Sequence, residues 1–175
     1  MKKKGLVISG AIVMVLIMGA YVYLGGLNSV EYTIENVSDY NLVGLTFQGE
    51  GDSPEIEEAF FEAREFARGG RLDGILTIIN YKDTTLADDE LKLFIGVKLK
   101  GGTSDIPEHY QRLTIPATRT VRARIEANNV VRPKPNTIES RLLQEARGND
   151  LEVRDFTIEQ YISPEVLIID MPVKY

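Results

Sequence analysis

Cysteine and tryptophan are absent from the 175 residues, and histidine occurs once, at His109. Without cysteine there is no disulfide, no thiolate nucleophile, no Cys-type zinc site and no N-terminal lipoprotein anchor. One histidine restricts any Ser-His-Asp triad to that position and leaves a metal site to carboxylates. Basic residues are in deficit, 20 Lys and Arg against 26 Asp and Glu, for a net charge of -6. Lys2, Lys3 and Lys4 stand at the N-terminus, so the remainder is more acidic still. Phosphate backbones need basic surface, which argues against nucleic acid as a partner. What is present is ordinary for a globular chain: 43% apolar and 26% charged residues, enough for one domain with a real core.

One long uncharged run stands out. Residues 5–27 carry no charge, and at ~1.5 Å rise per residue they can cross a hydrocarbon core of ~30 Å. That length favours a single membrane anchor over a cleaved signal peptide, for which Met18-Gly19-Ala20 is the nearest cleavage site. The three lysines before the run, against Glu31 as the first charge after it, place residues 1–4 in the cytoplasm and the folded domain on the extracytoplasmic side. Tyr21 and Tyr23 near the exit suit an interfacial position.

From residue 30 to residue 175 the sequence repeats itself, with repeat one at about 31–100 and repeat two at about 109–175. Each half reads β-β-α-β-β. In the first helix Ile56, Phe60, Ala63 and Ala67 form a stripe, Ser53 caps, Pro54 sits at the first position and Gly69-Gly70 stops it. In the second, Asn136 is the expected cap, Ile138, Leu142, Leu143 and Ala146 are the stripe, and Gly148 closes the end. Alternation in the strands predicts two faces. Leu76, Ile78 and Asn80, with Phe156 and Ile158, are expected beneath the helices. Ile75, Thr77, Ile79 and Tyr81, with Thr157, Glu159 and Tyr161, are expected on the other face. The predicted class is α+β, a pseudo-twofold duplication with antiparallel sheets, two main helices and a central cleft, preceded by one transmembrane helix.

Several residues carry this further. The paired βαββ units, a strand ending Glu159-Gln160-Tyr161, a turn through Ser163-Pro164 and a last strand closing Asp170-Met171-Pro172-Val173-Lys174 resemble the GyrI-like, or transcription-activator effector-binding, domain family of SOUL-type fold. The resemblance covers essentially everything outside the apolar run. It implies a small-molecule binding module, with some hydrolases among its members, and a pocket Glu on the strand before the last, a position that Glu159 matches.

A carboxylate walled by Tyr and aliphatic groups is partly desolvated, and it gains most from a cationic ligand or from acting as a base. Glu159, Tyr161 and Tyr81 are therefore the candidate ligand-binding residues, with an apolar or cationic small molecule as the expected ligand. Tyr40, Phe47 and Tyr110 are weaker candidates of the same kind. The chain departs from the family in lacking Trp and any DNA-binding region. Two alternatives stay open: hydrolysis of a reactive small molecule with Glu159 as base, and a protein-interaction module at the cell envelope.

Other clusters read as ordinary surface. His109 lies in a loop between the repeats and is taken as solvated, not as a haem ligand; no cofactor or metal is expected. Three consecutive acids, Asp88-Asp89-Glu90, point in different directions. Arg119, Arg122 and Arg124 lie on a strand and are expected to pair with neighbouring acids.

Overall fold

The structure, a computed structural model, describes residues 2–101 and 105–174, with side chains from residue 12 onward. The chain runs α1 (Lys2–Tyr23), β1 (Glu31–Asn36), β2 (Tyr40–Glu50), α2 (Pro54–Arg68), β3 (Gly74–Tyr81) and β4 (Glu90–Leu99). It continues with β5 (Gln111–Ile115), β6 (Arg119–Glu126), a 3-10 turn (Asn129–Val131), α3 (Pro135–Gly148), β7 (Phe156–Tyr161) and β8 (Val166–Pro172). After α1 the order is ββαββ twice, as the repeat predicts.

The eight strands form one antiparallel sheet in the order β1-β6-β8-β7-β3-β4-β2-β5. The two repeats are not side by side as separate sheets: each lends its first strand to the other's edge. Thus β1 pairs only with β6, and β5 only with β2. The pseudo-twofold passes through the central β3–β7 ladder, whose middle pair is Ile79 opposite Ile158.

The sheet is strongly curled. Tyr40 on β2 and Asp170 on β8 stand four strand positions apart, which in a flat sheet at ~4.8 Å per strand would separate them by about 19 Å. Their side chains nevertheless share a hydrogen bond of 2.8 Å. The inner face so formed is filled by Tyr40, Leu42, Ile79, Phe94 and Ile158. On the outer face α2 packs on Val43, Leu76, Ile95 and Val97 through Ala63, Phe60 and Ile56. The matching helix α3 sets Ile138, Leu142 and Ala146 against Val121, Ala123, Ile169 and Met171.

Helix ends follow local chemistry with two departures from expectation, both in α3. Ser53 accepts from the Glu55 N–H ahead of Pro54, and Gly69 and Gly70 end α2. In α3, Asn136 is not the cap: Pro135, whose fixed φ suits a first helical residue, starts the helix two residues earlier, and Lys134 occupies the cap position without a side-chain bond. Nor does Gly148 close it. Asp150 takes the left-handed conformation (φ 54°), and the Asp150 and Leu151 N–H groups donate to Arg147 and Ala146 carbonyls, a Schellman ending.

Among the described residues no helix is long and apolar enough to cross a membrane. The side chains of residues 5–11 of the expected anchor lie outside the described residues, so the predicted span over 5–27 is not carried by them. The described part of α1 exposes Ile12, Val13, Met14, Val15, Leu16, Ile17 and Met18, each more than half accessible. Beyond α1 the chain is fastened to the domain: the Asn128 N–H donates to the Leu24 carbonyl (2.8 Å) and the Asn28 amide to the Glu126 carbonyl (2.6 Å). Gly25 permits this approach, having φ 82° and leaving only 2.8 Å between a would-be Cβ and the Glu126 oxygen.

Candidate functional site

The β3–β7 register decides which predicted site residues meet. Glu159 lies opposite Ile78, and Tyr81 opposite Phe156. Ile78 packs with α2, whereas Tyr81 and Phe156 belong to the inner-face cluster. Glu159 and Tyr161 therefore face the helices, and Phe156 and Ile158 face inward, the reverse of the predicted assignment for β7; the assignment for β3 stands. The reason is a one-residue slip. Matching Tyr81 to Tyr161, as the repeat invites, sets the halves one step out of the pairing centred on Ile79 and Ile158, and in a strand one step exchanges the faces.

Glu159 and Tyr161 come together. The Tyr161 hydroxyl donates to a Glu159 carboxylate oxygen at 3.1 Å. The Tyr161 ring meets Phe60 of α2 edge-on, with centroids 5.5 Å apart, a geometry contributing ~0.5–1.5 kcal/mol beyond its buried area. Burial pushes the Glu159 carboxyl up from its ordinary range, opposed by the Tyr161 hydrogen bond and the nearby Arg132 charge. Burial, and then the Glu159 charge, raise Tyr161.

Arg132 was not singled out from the sequence. Its Nε donates to the Ala127 carbonyl (2.9 Å) and its Nη2 to the Pro164 carbonyl (3.0 Å), tying the chain after β6 to the β7–β8 turn. Burial lowers its pKa, against the opposing pull of Tyr161 and Glu159. Ser163 shapes that turn, its hydroxyl accepting from the Glu165 and Val166 N–H groups.

Around these residues opens a cavity of about 690 Å³. Phe60, Ala67, Leu76, Tyr161 and Ile162 give it apolar walls, while Arg64, Arg68, Lys100 and Arg132 bring charge to it. Tyr161 lines the cavity directly. Glu159 does not; its carboxylate is reached through the Tyr161 hydroxyl.

Tyr81 is elsewhere. Its ring packs against Phe156 at 5.6 Å and lines a separate, open depression of about 400 Å³ with Lys82, Lys92 and Lys174. Tyr40 is fully buried on the inner face, Phe47 is packed under α2, and Tyr110 meets Phe66 edge-on at 5.6 Å. His109 sits at the surface, 3.2 Å from Glu62. The acids at 88–90 are exposed at the β3–β4 turn, and among the described residues no group of three His, Asp or Glu is placed to hold a metal ion.

A second polar assembly lies inside the curled sheet. Asp170, wholly buried, accepts from Tyr40 Oη (2.8 Å), Gln160 Nε2 (2.8 Å), and Arg122 Nε and Nη2 (2.7 and 2.8 Å). Arg122 also donates to Glu35 (2.6 Å), and Lys98 donates to Gln160 Oε1 (2.9 Å) while lying over the Tyr40 ring. Arg122 and Arg124 thus pair with acids, Arg124 with Glu126.

Comparison with known proteins rests on this geometry. No family model matches the sequence, and no curated protein sequence matches it. Solved structures do. The chain aligns over 83% of its length with 98% of the C-terminal domain of EcmrR, at TM-score 0.56 and 15% identity. It aligns over 82% with 94% of SAV2435 bound to tetraphenylphosphonium (TM-score 0.51, 16% identity). A hydrolase from Listeria innocua is similar over 82% of this chain and 92% of its own, at TM-score 0.54 and 14% identity. The fold is GyrI-like. At these identities the likeness establishes the fold alone, and the cavity beside α2 combines an aromatic wall with a basic rim.

One consequence of the Glu159 environment is measurable. A carboxyl whose pKa is raised by folding favours the fold below its ordinary value of 4.5 and loses that contribution as pH rises through the folded value. Glu159→Gln keeps an acceptor for the Tyr161 hydroxyl and removes the buried charge. The variant is expected to gain stability over the parent as pH rises from 4 toward 8, in roughly the range where carboxyls titrate. Thermal unfolding of both proteins across pH checks this, and parallel curves would mean a solvated Glu159.

Proposed function

We propose that the chain is a small-molecule binding module whose ligand occupies the cavity between α2 and the β7–β8 turn. The observation that carries this reading is the cavity itself: about 690 Å³, within the ~300–1,000 Å³ typical of ligand sites, with Phe60 and Tyr161 as an aromatic wall. Its place supports the reading too, since it opens beside the central β3–β7 ladder where the two repeats meet. The report of SAV2435 bound to tetraphenylphosphonium, on the same fold, is in keeping with it. Glu159 positions the Tyr161 hydroxyl from beneath. Hydrolysis by Glu159 is the weaker reading, because its carboxylate is not on the cavity wall where a water and substrate would meet.

The test is thermal unfolding of the full chain in detergent micelles against a panel of amphipathic compounds. A true ligand at a hundred times its Kd should stabilise by about 2.7 kcal/mol. Tyr161→Ala should abolish the shift. A folded chain that responds to no compound would remove the binding reading in favour of a protein partner.

We also infer that residues 5–27 tether the module to a membrane, with residues 1–4 in the cytoplasm and the domain outside. Support comes from the uncharged run, its lysine flank and the exposed apolar side chains from Ile12 to Met18. Full-length protein is expected to stay with membranes after carbonate extraction, and a chain beginning at residue 30 to be released. Release of both would refute the tether.

A further inference from the structure

Four cationic side chains converge on the cavity from three parts of the chain: Arg64 and Arg68 from α2, Lys100 from the end of β4, and Arg132 from the segment after β6. Among the described residues no acid lines the cavity, although acids outnumber bases 26 to 20 in the whole chain. Among the described residues none of the four makes a salt bridge. Arg132 is held by two carbonyls, and Arg64 lies over the Phe61 ring at 4.7 Å. Phe60, Arg64, Ala67 and Arg68 fall at i, i+4, i+7 and i+8, so one stripe of α2 offers the cavity both an apolar surface and two guanidinium groups. The carboxylates acting on Arg132 stand off the cavity wall and have partners of their own: Glu159 accepts from the Tyr161 hydroxyl, and Glu165 accepts from the Ser163 hydroxyl.

We propose that the ligand is an amphipathic anion: a phosphate, sulfonate or carboxylate group held at the rim by Arg64, Arg68, Lys100 and Arg132, with an apolar body against Phe60, Tyr161 and Ile162. This rests on the cavity being the binding site, and it departs from the cationic ligand expected from Glu159. Guanidinium groups suit the role because their planar fork binds phosphate and carboxylate oxygens two at a time. The anion can be a free molecule or the headgroup of a lipid.

The test uses full-length protein in neutral detergent micelles and three probes with one apolar body: naphthyl phosphate, naphthylmethanol and naphthylmethylammonium. Binding heats are corrected against empty micelles. Naphthyl phosphate is expected to bind tightest and to weaken as salt rises. Arg64→Gln or Arg68→Gln should each cost it about tenfold in Kd, the loss of a charged hydrogen-bonded contact, while leaving naphthylmethanol unchanged. Equal binding of all three, or preference for the ammonium probe, would overturn the anionic class and leave the cavity as the site. If the folded chain binds none of them, the cavity reading falls as well. Competition by a soluble short-chain phosphatidylglycerol would assign the anion to lipid; its failure against a bound naphthyl phosphate would assign it to a free molecule.

Discussion

Asp170→Ala is expected to destabilise the fold by about 3–5 kcal/mol, the range seen when one partner of a buried ion pair is removed. The size follows from what would be left behind. Asp170 is wholly buried and satisfies two donors of Arg122, the Tyr40 hydroxyl and the Gln160 amide. Without it, a guanidinium inside the curled sheet keeps only Glu35, at its outer end, and two neutral donors lose their acceptor. A guanidinium does not give up its proton inside a protein, so Arg122 would stay charged in the variant with Glu35 alone as its counter-charge. Urea unfolding followed by tyrosine circular dichroism measures the loss. A cost near that of an exposed pair, under about 1 kcal/mol, would mean that water reaches the assembly. Replacing Arg122 and Asp170 together with apolar residues of similar volume should be milder than either single change, since no guanidinium or carboxylate is then stranded inside the sheet and only the Tyr40 and Gln160 donors lose their acceptor.

Gly44→Ala should cost about 3 kcal/mol or more, above the usual range for one added methyl in a packed interior. Gly44 and Gly96 are directly opposed in the β2–β4 ladder. A Cβ on Gly44 would stand 2.2 Å from the Ile95 carbonyl oxygen and 2.6 Å from the Gly96 Cα, and one on Gly96 would stand 2.1 Å from the Val43 oxygen. These obstacles are backbone atoms, which no change of rotamer can move. Paired glycines in mid-strand mark a close approach of two backbones, and here it falls on β2, four residues beyond Tyr40 on the same strand. The variant should therefore lose the Tyr40–Asp170 contact along with stability. A Gly44→Ala protein as stable as the parent, with Tyr40 still buried, would show that the ladder can relax without uncurling.

The two effects share a cause. Curling brings β2 over β8, which allows Asp170 to be buried with its partners, and the close-packed glycines permit the curl. The outer face then carries the helices and the cavity, so a change on the inner face should weaken ligand binding only as far as it unfolds the domain.

The sequence by itself determined the elements and their order. The stripes Ile56-Phe60-Ala63-Ala67 and Ile138-Leu142-Ala146 have the helical period and the structure buries them under that period, because amphipathic spacing is a local property that each segment carries wherever it packs. The ββαββ duplication was legible for the same reason, and so was the pairing of Glu159 with Tyr161, two residues apart on one strand face. A single acid in the apolar run Val166-Leu167-Ile168-Ile169-Asp170-Met171 was a signal for the buried assembly; its partners on β2, β6 and β7 were not, because they come from three other strands that only the fold brings together. Tertiary structure also decided the exchange of β1 and β5 between the repeats, the register centred on Ile79 and Ile158 that sends Tyr81 to the other face, and the meeting of Arg64, Arg68, Lys100 and Arg132 around one cavity. Alternation along a strand shows that two faces exist. Which face is which depends on pairing with a strand some eighty residues away, and that pairing is set by how well the whole sheet buries its two sides.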